Sequence, residues 1–321
     1  MFNKAKTRIK DFINREMTSR FAQLSEKYNN GNKLWENQMT INLPSKQFIN
    51  LPDVSNHKHG LTYIKPGSLK LDKEIDRYIE KDIFPLPATE DRENYAGARH
   101  FEYWLSGLRD YLNIKNNLHR HCCYFDNNFS IYDMGCASGR VIRHFLCQER
   151  GLELWASDIN SNHVEWVKKY LDRDIKIFQN NSLPHLPMED NYFNLIYAFS
   201  VFTHIDAFEA AWLLELKRIL KPGGFAYLTI HSDNTWAMMR DGCAIPIYEA
   251  LLTNPDFSPD LLKSNLPKEK VVYRWTNENS YRANVFHDIE YIKDTWGKYF
   301  EILEILRAGH FYQDVILLRK N

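Results

Sequence analysis

The sequence predicts an α/β fold with a doubly wound, mostly parallel sheet, and three observations support this. Short apolar segments alternate with amphipathic helical segments from about residue 129 to residue 224. A glycine-containing turn follows the first apolar segment, at residues 135–139. Two further apolar segments, at 300–306 and 313–318, are spaced like a hairpin. Because strands joined through helices run parallel, these features predict one sheet with helices on both faces.

The first strand is predicted at residues 129–134, which suit the centre of a parallel sheet. Gly135 and Gly139 then allow a tight turn and a close approach of the backbone to a ligand, and we expect a helix to begin near Ser138. The glycine spacing differs from the GxGxxG of nicotinamide dinucleotide folds, and Asp133 lies two residues before the first glycine. The turn therefore predicts a nucleotide site of another kind.

Three more parallel strands are predicted, and polar residues follow each of them: 152–157, 175–179 and 195–200. Asp158 ends the second of the four strands, where a carboxylate can accept hydrogen bonds from ribose hydroxyls; capping the next helix is the alternative role. Ligands of such sheets bind outside the carboxyl ends of the strands. We therefore expect Gly135, Asp158, Asn181 and Ser200 to lie along one edge.

The remaining core elements are a helix at 205–220, a fifth strand at 225–230, a helix at 288–299 and the C-terminal hairpin. Four residues of the first helix are expected on its inner face: Phe208, Trp212, Leu216 and Ile219. Residues 232–285 form a polar and aromatic insertion between the fifth strand and the last helix. Long excursions of this kind are usually lids or binding loops, so we expect a substrate lid, with an oligomer contact as the alternative.

Residues 1–90 are predicted to be an N-terminal extension, and 91–231 with 286–321 the core. The extension begins with an amphipathic helical stripe at 1–29, which we expect to dock on the protein itself or on a second subunit; a membrane-surface helix is the alternative. Residues 30–70 are rich in Asn, Pro and Gly and predict irregular structure. Two helices follow, at 71–83 and 98–111.

Composition excludes several classes of function. Lys plus Arg and Asp plus Glu both number 41 in 321 residues, so no overall charge favours nucleic acid. The five cysteines form no CxxC pair and no metal-ligand spacing, which indicates a reducing, cytoplasmic setting. No HExxH motif occurs, so a metal is not expected. No apolar run approaches the roughly 18 residues that cross a membrane, and a signal-peptide core is not evident.

Five segments resemble, in order, the motifs of class I S-adenosylmethionine (SAM) dependent methyltransferases. DMGCASGR at 133–140 resembles their D/E-x-G-x-G-x-G motif, with Ala137 at the middle glycine. The acidic Asp158, the polar residues after the third strand, the LPM and FNL stretch at 186–195 and LKRILKPGG at 216–224 match the later motifs. The resemblance covers about 90–231 firmly and 286–321 more loosely. It implies a Rossmann-like fold with a seven-stranded sheet and an antiparallel C-terminal hairpin.

The resemblance also implies SAM as cofactor, S-adenosylhomocysteine (SAH) as product, and a set of site residues. The cofactor would contact Asp133, Gly135, Cys136, Ala137, Gly139, Arg140, Asp158, Ile159, Asn181, Ser182, Phe199 and Ser200. In this family a segment upstream of the first strand folds over the cofactor and the acceptor. Candidates to contact the substrate, there and in the insertion, are Tyr95, Arg99, Arg240 and Tyr281.

A hydroxyl or amine acceptor must lose a proton during methylation, and histidine can accept one near neutral pH. His204 follows the fourth strand and precedes a helix whose positive end favours neutral imidazole. His231 ends the fifth strand, and His310, near the final hairpin, is a weaker candidate. Capping or orienting roles are the alternatives for His204 and His231.

GCASGR together with FTH at 202–204 resembles a bacterial subgroup often linked with glycans or secondary metabolites. This favours O-methylation of a small-molecule hydroxyl, with carbohydrate as one acceptor class. N-methylation of a small amine or peptide, or a non-catalytic SAM-binding protein, are the alternatives. A nicotinamide-dependent dehydrogenase is disfavoured by the glycine spacing. The sequence leaves a homodimer open.

Overall fold

A computed structural model describes residues 61–64, 73–171, 174–275 and 283–321. The predicted N-terminal amphipathic helix and Tyr281 lie outside these ranges. The chain divides into two compact units, Met1–Leu108 and Arg109–Asn321, and each is described by itself. The domain boundaries predicted from the sequence stay a prediction.

The described part of the first unit contains two short strands and helical segments. Its elements are β1 (Thr62–Tyr63), α1 (Lys73–Glu80), β2 (Pro85–Leu86), a 3-10 turn (Glu90–Arg92) and the first half of α2 (His100–Arg120). β1 and β2 pair antiparallel. The helix predicted at 98–111 is longer than expected, because Ile114 and Leu118 continue its apolar stripe and are fully buried.

The second unit begins as alternating strands and helices. They are β3 (Ser130–Met134), α3 (Ile142–Gln148), β4 (Glu153–Asp158), α4 (Ser161–Tyr170), β5 (Ile175–Gln179), β6 (Phe193–Ala198), α5 (Glu209–Ile219) and β7 (Leu220–Ser232). The helix expected near Ser138 begins only at Ile142, because residues 137–141 form turns. A helix dipole therefore does not begin at the glycines themselves.

The remainder comprises the insertion and the C-terminal elements. They are α6 (Asp233–Arg240), α7 (Pro246–Leu251), a 3-10 turn (Pro259–Lys263), β8 (Lys270–Arg274), β9 (Ala283–His287), α8 (Ile289–Thr295), a 3-10 turn (Trp296–Lys298), β10 (Glu301–His310) and β11 (Gln313–Arg319).

The strand order confirms the predicted Rossmann-like fold. The main path is β10-β11-β7-β6-β3-β4-β5, with β7 to β5 parallel and β11 antiparallel to both neighbours. All five residues of β3 are buried, as expected of the central strand. From β3 the strand order runs through β4 to β5 on one side and through β6 to β7 on the other, so the strand order switches between β3 and β6. A ligand crevice is expected at the carboxyl ends of these strands.

Helix α5 covers the core with three of the four residues predicted for it. Trp212, Leu216 and Ile219 are buried in the main hydrophobic cluster. Phe208 was expected beside them, and this was wrong: α5 begins at Glu209, and Phe208 takes a left-handed φ of 59° with 62% of its side chain exposed. The apolar periodicity of the sequence therefore begins before α5 itself does.

The insertion has a hydrophobic cluster of its own and adds two strands to the sheet. Trp236, Leu251, Phe257 and Tyr273 are buried together with Phe286 of β9. β9 pairs parallel with the end of β7, and β8 pairs antiparallel with β9. The described sheet therefore has nine strands: the seven of the main path, as many as predicted, and these two from the insertion. The insertion therefore continues the sheet at the carboxyl end of β7.

Candidate active site

The glycine turn closes against the neighbouring strand. The backbone N–H groups of Gly135 and Cys136 both donate to the Ser157 carbonyl, at 2.9 and 3.0 Å. Gly135 and Gly139 have φ angles of 74° and 77°, the left-handed region that glycine enters without a steric penalty. Ala137 also has a positive φ, 47°, which explains why the methyltransferase motif carries glycine at this position.

Asp133 lies buried beneath the turn. Its Oδ2 accepts a 2.9 Å hydrogen bond from the Tyr197 hydroxyl of β6. Burial raises the pKa of Asp133 to about 7, with nearby Asp158 adding to the shift, while Tyr197 and Arg140 oppose it. The geometry therefore gives Asp133 a supporting place under the turn. Its predicted contact with the cofactor stays a prediction.

Asp158 ends β4 as predicted and braces the glycine turn. Its Oδ2 accepts from the Ala137 backbone N–H at 2.8 Å, and its Oδ1 accepts from the Asn160 N–H at the same distance. The N-cap of α4 is Asn160, whose side chain accepts from the Asn162 N–H, so capping is not the role of Asp158. A carboxylate offers about four lone-pair positions, and these two bonds leave capacity for ribose hydroxyls.

The residues that follow β4 and β5 are accessible. Asn181 and Ser182 are exposed after β5, and Ile159 is half-buried after β4. The Asn181 side-chain oxygen accepts from the Leu183 N–H at 2.9 Å, which fixes the amide. β4 and β5 are in register from Leu154 to Asp158, so these polar groups line one edge as expected.

The end of β6 is held by β7 and by the C-terminal hairpin. The Ser200 N–H donates to Thr229 Oγ1 at 2.7 Å, and Gln313 Nε2 donates to Ser200 Oγ at 2.9 Å. Ser200 takes a left-handed φ of 57°, and Phe199 before it is buried. Gln313 was missed from the sequence, because only the pairing of β11 with β7 brings it to this edge.

The two histidines chosen as candidate bases occupy different environments. His204 is half-buried, and its Nδ1 lies 2.6 Å from the Ala283 carbonyl. The helix expected directly after it begins five residues later, at Glu209, so a helix end does not act on His204. His231 is buried, with its Nε2 3.5 Å from Gln313 Nε2. Burial, reinforced by His204 and His287, lowers the pKa of His231 well below its ordinary value. Their role as bases stays a prediction.

His310 belongs to a buried ionic cluster that sequence reasoning did not find. Its Nδ1 lies 3.0 Å from Asp110 Oδ1, and Arg140 Nη1 donates to Asp110 Oδ2 at 2.5 Å. Asp110 comes from α2, Arg140 from the glycine turn and His310 from the end of β10. Arg140 was predicted to bind the cofactor; the structure shows its bond to Asp110, and a cofactor contact stays a prediction.

Candidate substrate residues lie in both units. In the first unit Tyr95 is exposed with an edge-on contact to Tyr103, and Arg99 pairs with Glu102 at 2.7 Å. In the insertion Arg240 is exposed and donates to Asn265 Oδ1 at 2.9 Å. It also lines a cavity of about 500 Å³. Their predicted contacts with substrate stay predictions.

Within residues 61–64, 73–171, 174–275 and 283–321, no group of three or more His, Cys, Asp or Glu side chains is arranged to hold a metal ion. Among the helices in those ranges, none combines the length and apolar character that crossing a membrane requires.

Comparisons with known proteins agree with this geometry. A family model described as a methyltransferase domain matches residues 132–228, from β3 into β7. Sterol 24-C-methyltransferase of Schizosaccharomyces pombe is 34% identical over 129 residues, which are 39% of this chain and 32% of that protein. The chain therefore spans about a third of the length of this curated relative.

The chain is also similar to two solved structures over part of its length. One is a Burkholderia thailandensis 1,6-didemethyltoxoflavin N1-methyltransferase with SAH bound (TM-score 0.45, 11% identity, 81% of this chain and 95% of that chain). The other is a SAM-dependent methyltransferase of Methanosarcina mazei (TM-score 0.42, 19% identity, 64% of this chain and 96% of that chain).

The donor set at the carboxyl edge fits SAM, the cofactor of methyltransferase domains of this kind. Asp158 has lone pairs for ribose hydroxyls, Asn181 and Ser182 are accessible for the base, and the turn at Gly135 is compact enough for close approach. The strand order, the turn and the domain match at residues 132–228 agree. Residues 132–228 of the chain are therefore a methyltransferase domain.

Proposed function

We propose that the protein transfers a methyl group from SAM to a small-molecule acceptor, at a hydroxyl oxygen. The methyltransferase-domain match carries the proposal, because it spans the turn, Asp158 and the end of β6. When bound, SAM supplies a methyl group on a positively charged sulfur. The protein then has to align the acceptor with that methyl, which is where most of the rate gain of such reactions arises.

The proposed roles follow from position along the carboxyl edge. Asp158 accepts hydrogen bonds from ribose, and Asn181 with Ser182 contacts adenine. The glycine turn, with Cys136, approaches the cofactor through its backbone. Phe199 and Ser200 lie between the cofactor and the acceptor, since they end β6 at the reversal of strand order.

A hydroxyl of a sugar or related metabolite is the acceptor class that we propose. The insertion continues the sheet at the carboxyl end of β7, and its cavity of about 500 Å³ is lined in part by Arg240, Tyr248 and Glu249, an aromatic and polar set that suits a sugar. The equal numbers of acidic and basic residues suit an uncharged acceptor.

Methylation at carbon is the second candidate. The observation that favours it is the 34% identity to a sterol 24-C-methyltransferase over 129 residues.

The cofactor is tested first. Isothermal titration calorimetry with SAM and SAH is expected to show micromolar binding, and NADH is expected not to bind. Asp158→Ala should abolish binding, whereas Asp158→Asn, which keeps one acceptor oxygen, should weaken it less. Asp126→Ala, at an exposed residue before β3, is the matched control and should bind like the wild type. Binding of NADH without SAM would overturn the proposal.

The acceptor atom is tested with methyl-labelled SAM. The protein is incubated with carbon-13 methyl SAM and panels of sugars, phenols, amines and sterols, and the product is examined by NMR. The chemical shift of a transferred methyl differs between oxygen, nitrogen and carbon. A methyl on oxygen supports the proposal, a methyl on carbon supports the second candidate, and cofactor binding without any turnover supports a non-catalytic protein.

A further inference from the structure

The buried cluster around Asp110 forms a histidine–carboxylate pair at the catalytic edge of the sheet. Asp110 is fully buried and His310 is 4% exposed, with 3.0 Å between Asp110 Oδ1 and His310 Nδ1. Arg140 occupies the other oxygen at 2.5 Å, and Arg109 Nη2 lies 3.6 Å from Oδ1. These are the charged groups that face His310 from α2 and from the glycine turn.

The protonation states of the pair follow from these contacts. Burial alone would raise the pKa of Asp110, but His310, Arg140 and Arg109 hold it well below its ordinary value, so the carboxyl is ionised. Burial lowers the pKa of His310; Asp110 opposes this shift, and the two arginines reinforce it. Neutral His310 therefore donates its Nδ1 hydrogen to Asp110, and Nε2 carries the lone pair.

The pair lies beside the end of β6, at the carboxyl edge of the sheet. His310 ends β10, and Gln313, three residues on, bonds to Ser200 at the end of β6. The ring of His310 lies 4.8 Å from that of Phe199, centroid to centroid. Arg140 joins the pair directly to the glycine turn and lies over the Phe199 ring, with 5.6 Å from Cζ to the centroid.

We propose that His310, positioned by Asp110, accepts the proton that the acceptor loses during methyl transfer. The acceptor's O–H bond breaks, and its proton moves to His310 Nε2. An oxygen lone pair forms the new bond to the methyl carbon, and the electron pair of the carbon–sulfur bond stays on sulfur, giving SAH. Asp110 stabilises the imidazolium, which then returns its proton to water. This inference rests on the proposed function.

The hydrogen-bond partner of each histidine favours His310 over His204 as the base. His204 Nδ1 faces the carbonyl of Ala283, a neutral group, whereas His310 Nδ1 faces an ionised carboxylate. Both partners fix the tautomer, but a carboxylate stabilises the positive charge that appears on imidazole more strongly. The same pairing makes Asp110 a positioning residue.

Binding measurements test the placement of His310 without an acceptor. A proton on His310 repels the sulfonium of SAM and does not repel the thioether of SAH. The ratio of the dissociation constants for SAM and SAH should therefore rise by up to about tenfold as the pH falls from about 8 to the lowest pH at which the protein stays folded, equivalent to one unit of pKa coupling. His310→Gln should flatten the ratio. The control is His121→Gln, which removes another histidine–carboxylate pair, with Glu304 in the middle of β10. This variant should keep the pH dependence of the ratio.

Turnover tests the chemical role, with the acceptor identified by the labelled-methyl screen. His310→Gln should lower kcat by roughly a hundredfold or more with little change in KM for SAM. Asp110→Asn should lower kcat and shift the acidic limb of the pH–rate profile, an effect that lost packing would not give.

Three results would overturn the inference. One is a flat SAM to SAH ratio in the wild type, which decides the matter even where a variant fails to fold. Another is a pH dependence of the ratio that is lost in His204→Gln and kept in His310→Gln. The third is normal turnover in folded His310→Gln protein. If neither SAM nor SAH binds the wild type, the proposed function itself fails, and this inference fails with it.

Discussion

The buried carboxyl of Asp133, under the glycine turn, makes the free energy of unfolding depend on pH. It is 3% exposed, and burial raises its pKa to about 7 from its ordinary value of 3.8. Between these two pH values the folded protein holds a proton that the unfolded chain releases. Stability from this group is therefore fully present below about pH 4 and is lost as the pH rises through 7.

Asp133→Asn removes this titration while keeping an oxygen for the Tyr197 hydroxyl. We expect the free energy of unfolding of the variant, relative to the wild type, to increase by as much as about 4 kcal/mol between pH 4 and pH 8. Urea denaturation at a series of pH values measures this difference. Parallel curves for the two proteins would contradict the prediction.

The residues of the site divide into those that local sequence predicts and those that it does not. Asp158 and Asn181 could be predicted because each directly follows a recognisable strand. Asp110 could not, because its partner His310 is 200 positions away and the contact depends on packing of α2 against the hairpin end. Gln313 and Ser200 are 113 positions apart and meet only through the pairing of β11 with β7.

At the scale of elements, the glycine turn is a tight loop in which two glycines and one alanine have a positive φ. A Cβ at Gly135 would come within 2.5 Å of Val201 Cγ2, and one at Gly139 within 2.5 Å of Leu171 Cδ1. A Cβ at either position would therefore require Val201 or Leu171 to move, in addition to the strain of a positive φ. Ala137 already bears its Cβ, at the usual cost of a left-handed L-residue.

In this turn, adding a Cβ at Gly135 and removing the Cβ of Ala137 should affect the free energy of unfolding differently. Gly135→Ala should lower the free energy of unfolding by about 2 kcal/mol or more, because the strain of a left-handed residue adds to the clash with Val201. Ala137→Gly should leave stability unchanged or raise it by up to about 1 kcal/mol, since relief of strain exceeds the entropic cost of glycine. Thermal denaturation compares them, and equal losses in both variants would refute this account.

Strand positions were predicted well, and helix starts less well. β5 was predicted at its observed bounds, because β-branched residues between polar ends mark a strand locally. The starts of α3 and α5 were predicted too early, because the glycine turn extends to residue 141 and the apolar periodicity before α5 begins ahead of the helix itself. The sequence predicts residues 283–285 as the end of a lid; they begin β9, whose pairing with β7 depends on residues far along the chain.

At the scale of the whole molecule, buried histidines and the raised Asp133 act in opposite directions on pH stability. Burial lowers the pKa of both His231 and His310. The unfolded chain takes up protons on these groups below about pH 6.5, and the folded protein resists doing so. Their contribution is present above that pH and is lost as the pH falls.

Acid unfolding should therefore depend on His231. As the pH falls from 7 to 5, the melting temperature of His231→Gln should rise relative to that of the wild type, because the variant lacks the loss of stability that His231 contributes. His121→Gln, at a half-buried histidine, should follow the wild type. Differential scanning calorimetry across the interval measures the slopes. An unchanged slope in His231→Gln would show that protonation of this residue does not drive the transition.

The position of β11 in the sheet has a consequence for how the protein is made. β11 comes last among the described strands, yet it lies between β10 and β7 and is hydrogen-bonded on both sides. On the ribosome, β7 must wait with an unpaired, apolar edge until β11 leaves the exit tunnel. Nascent chains stalled before residue 313 should accordingly recruit chaperones and aggregate, while those released after residue 319 should not.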